Sequence, residues 1–155
     1  YEEDLTSGGA ADLPDALASK VSSLDYKTLR HPGHYAWVRK QIENFVPSTN
    51  LIQDLQKKME EEIPHIENDQ IILYAAVTGK DNKCVLRRRE ISKKIKPQKV
   101  GKHTLRAIQT TTAVPLLQAA QYLLENSPKG VILQSELDTN QFLSGSFVQK
   151  IYGVF

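Results

Sequence analysis

The sequence predicts an α+β domain with a mixed or largely antiparallel sheet and helices packed on one face of it. Three observations carry this expectation. Strand-like and helix-like periodicities come in mixed order rather than as alternating short βα units. A hairpin signal, Thr78-Gly79-Lys80-Asp81-Asn82, follows the most apolar run of the chain. No Gly-x-Gly-x-x-Gly opens a helix anywhere. At 155 residues, with a formal charge of +2 and 25% charged residues, a single domain spanning 1–155 is the default, and whole-chain charge selects no partner.

Residues 6–23 are small, polar and broken by Gly and Pro, with Leu13, Leu17 and Val21 spaced for a short helix after Pro14. From Leu24 to Arg30 the alternation predicts a strand ending before Pro32-Gly33. Tyr35, Val38, Ile42, Phe45 and Val46 then recur at three- and four-residue steps, an amphipathic helix stopped near Pro47. Asn50 is placed to cap a second helix with Leu51, Leu55 and Met59 on one face, ended by Pro64. Ile71–Val77 is nearly all apolar, as expected of a strand buried on both faces at the centre of a sheet. After the hairpin signal, Lys83 to Ile91 returns antiparallel, and Lys93–Val100 extends it, with Pro97 marking an edge or bulge. Thr110-Thr111-Thr112 can cap a helix from Ala113 to Glu125, with Pro115 in its first turn. Ala113, Leu116, Leu117, Ala120, Leu123 and Leu124 form its expected apolar face. Val131–Leu133 reads as a short buried strand, and Phe142 to Tyr152 as a final helix or docking segment.

A single cysteine, Cys84, excludes an internal disulfide and reads as a small half-buried strand residue. No stretch approaches the roughly 20 apolar residues of a membrane helix, so a soluble, cytoplasmic protein without membrane contact is expected. The opening at Tyr1 rather than Met is expected of a piece of a longer chain. His31, His34, His65 and His103 lack the i, i+4 spacing of a helical zinc site, so no metal is expected. The run Lys80, Lys83, Arg87–Arg89, Lys93, Lys94, Lys96, Lys99, Lys102 and Arg106 can track phosphates. Strand alternation splits its arginines between two faces, however, and no aromatic residue interrupts the run to stack a base. A solvated surface is the simpler reading, and nucleic acid is not the expected partner.

The octad KTLRHPGH, Lys27 to His34, gathers cationic groups where a strand meets a helix. By its residues alone it is either a basic strand end or an anion-holding turn. Thr6-Ser7-Gly8-Gly9 can likewise be a plain loop, or a turn that offers amides and a hydroxyl to an anion.

In order along the chain, Thr6-Ser7-Gly8-Gly9, then Asp25-Tyr26-Lys27-Thr28-Leu29-Arg30-His31-Pro32-Gly33-His34, then the Thr-rich helix entry and Gly130-Val131-Ile132 resemble the C-terminal, substrate-side domain of the saccharopine dehydrogenase family, including the similar lysine 6-dehydrogenases. That resemblance implies a two-domain dehydrogenase whose Rossmann domain, holding NAD or NADP, lies outside this chain, so that the chain alone binds no cofactor and turns nothing over. It implies an amino-acid-type substrate with several carboxylates, and a homodimer. Ser7, Gly8, Gly9, Lys27, Arg30, Gly33 and Thr111 are the implied substrate-binding residues, with Arg30 as a forked carboxylate partner and Lys27 as a point charge. His34 is the implied proton-transfer residue. The alternative is a free-standing basic module that takes nucleic acid or an acidic protein through residues 80–106.

Overall fold

The computed structural model describes residues 1–6, 9–44, 50–63 and 65–153. The fold is α+β, built from helices and small antiparallel sheets. The sheet is not continuous: each described strand pairs with one other, giving three two-stranded ribbons. By backbone contacts the chain forms two compact units, Tyr1–Ile66 and Glu67–Phe155.

In the first unit, β1 (Glu2–Leu5) pairs antiparallel with β2 (Lys27–Arg30), with Glu2 opposite Arg30 and Leu5 opposite Lys27. The predicted short helix is α1 (Leu13–Leu17), with Pro14 in its first turn, where a missing N–H costs nothing. The two amphipathic segments are α2 (His34–Asn44) and α3 (Leu51–Glu62). Phe45 and Val46, expected to continue α2, lie outside the described residues. Asn50 stands at the N-cap of α3 but makes no side-chain cap bond to it. Trp37 Nε1 of α2 donates to Glu62 Oε2 of α3 at 2.7 Å. Gln41 is buried, while no apolar side chain described in this unit is.

The second unit holds the apolar core: Ile95, Ala107, Val114, Val148 and Ile151, with Ile71, Phe142, Leu143 and Tyr152 packed against it. Strands β3 (Ile71–Lys80) and β4 (Leu86–Ile95) form a long hairpin, and β5 (Gln98–Val100) pairs with β6 (His103–Leu105). Helix α4 (Ala107–Asn126) follows, then a single 3-10 turn (Gln134–Glu136), α5 (Thr139–Ser144) and α6 (Ser146–Tyr152).

Several expectations are corrected here. The apolar run from Ile71 is not a central strand: Ile71, Ile72 and Leu73 are half-buried and Tyr74 to Lys80 are exposed. The run meets the core only at its Ile71 end, and β4 is its sole strand neighbour among the described residues. The hairpin turn lies later than Thr78–Asn82, at Asp81–Val85. There Asp81 Oδ1 accepts from the amides of Lys83 at 2.9 Å and Val85 at 3.0 Å, and Asp81 Oδ2 accepts from Arg87 Nε at 3.0 Å. Cys84 is therefore an exposed turn residue with φ of 59°, not a half-buried strand residue. Val131–Leu133 is not a strand, and Val131 is exposed. Instead Leu133 N donates to Glu136 Oε2 at 2.8 Å to open the 3-10 turn.

Helix α4 starts at Ala107, six positions before the expected Ala113. Its cap is remote: Asp69 Oδ1 accepts from Ala107 N at 2.6 Å and Asp69 Oδ2 from Ile108 N at 2.8 Å, placing a carboxylate on the positive end of the helix. Gln109 Oε1 adds a bond from Arg106 N at 2.9 Å. The threonines are consequently inside the helix, not at its start. The Thr110 and Thr111 hydroxyls donate back to Ala107 O at 3.0 and 2.8 Å.

Pro115 is likewise interior to α4. Its missing N–H leaves Thr111 O without the usual i+4 donor. Tyr152 Oη of α6 fills the gap, donating to Thr111 O at 2.7 Å, and burial raises the Tyr152 pKa above its ordinary value. One turn beyond Pro115 on α4, Gln118 Oε1 accepts from Phe147 N at 3.2 Å at the start of α6. The buried face of α4 is thus Ala107, Thr110, Val114 and Gln118. The expected leucine face is turned outward, with Leu116 72% and Leu124 82% exposed. The docked face thus joins the core residues Ala107 and Val114 to Thr110 and to Gln118, which bonds the start of α6.

Candidate functional site

The octad does form a strand-to-helix junction, with β2 ending at Arg30 and α2 starting at His34. Gly33 has φ of 92°, a left-handed conformation that a side chain would strain, and so the chain can reverse into the helix. The turn leaves the first amides of α2 pointing outward, where a helix favours an anion. The anion seated there belongs to the chain itself. Glu2 Oε2 accepts from Gly33 N at 3.1 Å and Glu2 Oε1 accepts from Tyr35 N at 2.7 Å. These backbone bonds, Tyr35 first, hold the Glu2 carboxyl below its ordinary 4.5.

This coupling has a sign. A carboxyl with a depressed folded pKa contributes stability that is complete above its unfolded value and is lost as pH falls through the folded one. Acidification below about pH 4.5 is therefore expected to loosen the β1–α2 junction. Trp37, the only tryptophan, reports on this unit by fluorescence, and Glu2→Gln is expected to flatten the acid limb of its unfolding profile. A wild-type profile matched by the variant at every pH would remove Glu2 from that role.

The two proposed cations do not converge. Three residues apart on one strand, Lys27 and Arg30 lie on opposite faces of the ribbon. Lys27 Nζ pairs with Glu3 Oε1 at 2.7 Å, which with Asp25 raises the lysine pKa. Arg30 lies across from Glu2 in the register, and its guanidinium has no ion-pair partner among the described residues. It shares its face with Thr28, whose hydroxyl donates to Thr6 Oγ1 at 3.1 Å, and with Tyr26.

Tyr26 also lines an open cleft of about 440 Å³, together with Leu5, Thr6, Ala10, Pro14 and Asp25. Gly9 lies against it: a Cβ there would overlap the Tyr26 ring, so the ring occupies the space that a side chain would take. Ser7 and Gly8 lie outside the described residues. His34, half-buried, meets the Tyr35 ring edge-on at 5.3 Å, and His31 meets the Tyr1 ring at the same distance. Thr111 belongs to the second unit, where its hydroxyl is engaged with Ala107 O.

The basic run is divided as strand parity requires. Arg87, Arg89 and Lys93 share one face of the hairpin and Arg88 and Lys94 the other. Arg88 is tied into a polar cluster: its Nε donates to Glu90 Oε2 at 3.0 Å and its Nη2 to Tyr74 Oη at 2.6 Å, while Tyr74 Oη donates to Glu90 Oε2 at 2.9 Å. Arg88 and Tyr74 hold the Glu90 carboxyl below its ordinary value. Among the described residues no group of three or more His, Cys, Asp or Glu is placed to hold a metal ion, and no helix is long and apolar enough to cross a membrane.

Sequence reasoning missed Glu2, Asp69 and Tyr152, the groups that satisfy the N-termini of α2 and α4 and the Pro115 gap. None carries a local signal, since each bonds a partner more than thirty residues away. Comparison with the models of known protein families, with curated proteins and with solved structures finds no match.

Proposed function

We propose that this chain is the substrate-binding and dimerisation domain of a saccharopine dehydrogenase-like oxidoreductase, which oxidises a CH–NH bond of saccharopine or lysine with NAD or NADP. The observation that carries the reading is the junction at Pro32-Gly33. Its amides are taken by the chain's own Glu2, which leaves Arg30, a guanidinium without an ion-pair partner among the described residues on the strand leading into the turn, as the group open to a substrate carboxylate. A substrate bearing several carboxylates needs such fixed positive groups to hold it while a hydride leaves the carbon beside nitrogen.

In this reading Arg30 takes one carboxylate through its fork. The walls of the Tyr26 cleft, largely apolar with Asp25 among them, suit an aliphatic arm beside a protonated amine. Lys27, paired with Glu3 on the opposite face, does not share in holding that carboxylate. His34 stands at the helix start, where it can accept a proton as the amine becomes an imine that water then hydrolyses. Both described turns that lead straight from a strand into a long helix, at α2 and α4, have a carboxylate of the chain seated on their amides. A pyrophosphate would be repelled there. These two turns therefore do not fit the pyrophosphate of NAD or NADP, and the reading places the dinucleotide on residues outside this chain.

In the full-length protein, Arg30→Ala is expected to raise the Michaelis constant for saccharopine by about 10- to 100-fold, as expected for a lost charge-assisted bond. An unchanged constant would remove Arg30 from the site. The second reading, a basic module acting through residues 80–106, is favoured only by the exposure of that hairpin. It requires salt-dependent binding of nucleic acid by the chain at physiological ionic strength.

A further inference from the structure

The β3–β4 hairpin has two unequal outer edges. Its strands are 10 residues each, about 33 Å long, and a two-stranded ribbon of that length is marginal in water without a further strand or a cover. On β4 the edge is guarded: Arg87, Arg88, Arg89, Lys93 and Lys94 line it. Antiparallel pairing of β4 with its own copy would set arginines against lysines. On β3 no charge occurs before Lys80. Among the described strands longer than three residues, β3 alone lacks the charges that natural proteins use to block edge pairing.

The hairpin turn fixes which backbone groups of β3 face outward. Asp81 N donates to Val85 O at 3.0 Å, so Asp81 and Val85 form a hydrogen-bonded pair. Inward pairs then alternate along the ribbon, and the register makes Gly79, Val77, Ala75 and Leu73 inward-bonded to β4. The amides and carbonyls of Ile72, Tyr74, Ala76 and Thr78 point away from it.

We infer that the outer edge of β3 is a strand-addition surface whose occupant is a second copy of this chain, giving a four-stranded antiparallel sheet ordered β4–β3–β3–β4 across a two-fold axis. The inference deepens the dimer component of the proposed function and rests on that component alone. A two-fold at the middle of β3 brings uncharged side chains together and satisfies the outward groups of both copies. On the face opposite the Tyr74–Arg88–Glu90 cluster, a strip of half-buried Leu73 and exposed Ala75 and Val77, with Ile91, becomes continuous with its copy. Val77 is 63% exposed in the single chain. Because β4 is charged, the assembly closes at two copies instead of growing into a fibre.

Sedimentation equilibrium of the 155-residue chain across a concentration series, paired with amide hydrogen exchange, tests this surface. The expected result is a reversible monomer–dimer equilibrium with added protection at Ile72, Tyr74, Ala76 and Thr78. Ala76→Pro removes an outward N–H while sparing the β3–β4 ladder, and Ala76→Lys adds an edge charge opposite Glu90, where it is locally tolerated. Each is expected to weaken association by at least about tenfold with the circular dichroism unchanged, while Arg89→Glu on the other edge leaves it as it was. A dimer indifferent to both Ala76 variants, or weakened equally by Arg89→Glu, overturns the β3 edge while leaving the dimer and the substrate reading standing. A chain that stays monomeric throughout overturns the edge and the dimer component together. Open-ended association overturns the two-fold closure.

Discussion

Ile151→Ala is expected to destabilise the Glu67–Phe155 unit by about 2–5 kcal/mol, the range for deleting a buried branched side chain and leaving a partly unfilled cavity. Ile151 is 7% exposed and shares the core with Ile95, Ala107, Val114 and Val148. With so few fully buried apolar side chains, neighbouring packing has little capacity to collapse into the space. The loss concentrates on α6, whose other buried residue is Val148. Chemical denaturation followed by far-ultraviolet circular dichroism reads this unit through the long helix α4, while Trp37 reports on the other unit. A transition shifted in both probes alike would mean that the units unfold together, and no shift in either would contradict the assignment of Ile151 to the core.

Tyr152→Phe is expected to cost about 1–3 kcal/mol, the penalty for leaving a half-buried carbonyl without its donor. The side chain loses only a hydroxyl, so packing is nearly preserved. The cause is specific: Pro115 cannot donate to Thr111 O, and Tyr152 Oη does so in its place at 2.7 Å. A double-mutant cycle isolates it. In a Pro115→Ala background the restored amide can bond Thr111 O, and the cost of Tyr152→Phe is expected to fall to a few tenths of a kcal/mol. Equal costs in both backgrounds would show that the hydroxyl acts elsewhere. The elevated Tyr152 pKa adds a pH signature. Because burial disfavours the phenolate, the group binds its proton more tightly folded than unfolded, so this contribution is lost as pH rises above the ordinary value of 10.0.

Much of the fold was legible because it is periodic. Three- and four-residue spacing located α2 and α3, and alternation with Pro32-Gly33 located β2 and its junction with the helix. Strand parity alone also separates Lys27 from Arg30, so that their failure to converge was already written in the spacing. The errors cluster where one local signal admits two structures. An apolar run such as Ile71–Val77 states that burial is favourable, but not what does the burying, and here the run is half of an exposed hairpin. A threonine triplet before an apolar stretch has the chemistry of a cap, yet the same hydroxyls bond the preceding turn when another group caps first.

The candidate site divides in the same way. The octad, its turn and its cationic content were legible. That a carboxylate of the same chain sits on the amides of Gly33 and Tyr35 was not.

By itself, the sequence determined the α+β class, most helix and strand positions, and the presence of a basic strand-to-helix turn, because backbone periodicity and turn chemistry act over a few residues. The tertiary structure alone decided which face of α4 is buried, where that helix begins, and which groups answer the orphaned amides of α2 and α4 and the carbonyl left by Pro115. Those choices rest on bonds from Glu2, Asp69 and Tyr152 to partners 33, 38 and 41 residues away. A buried polar group must find a partner, but local spacing does not say from which part of the chain that partner comes.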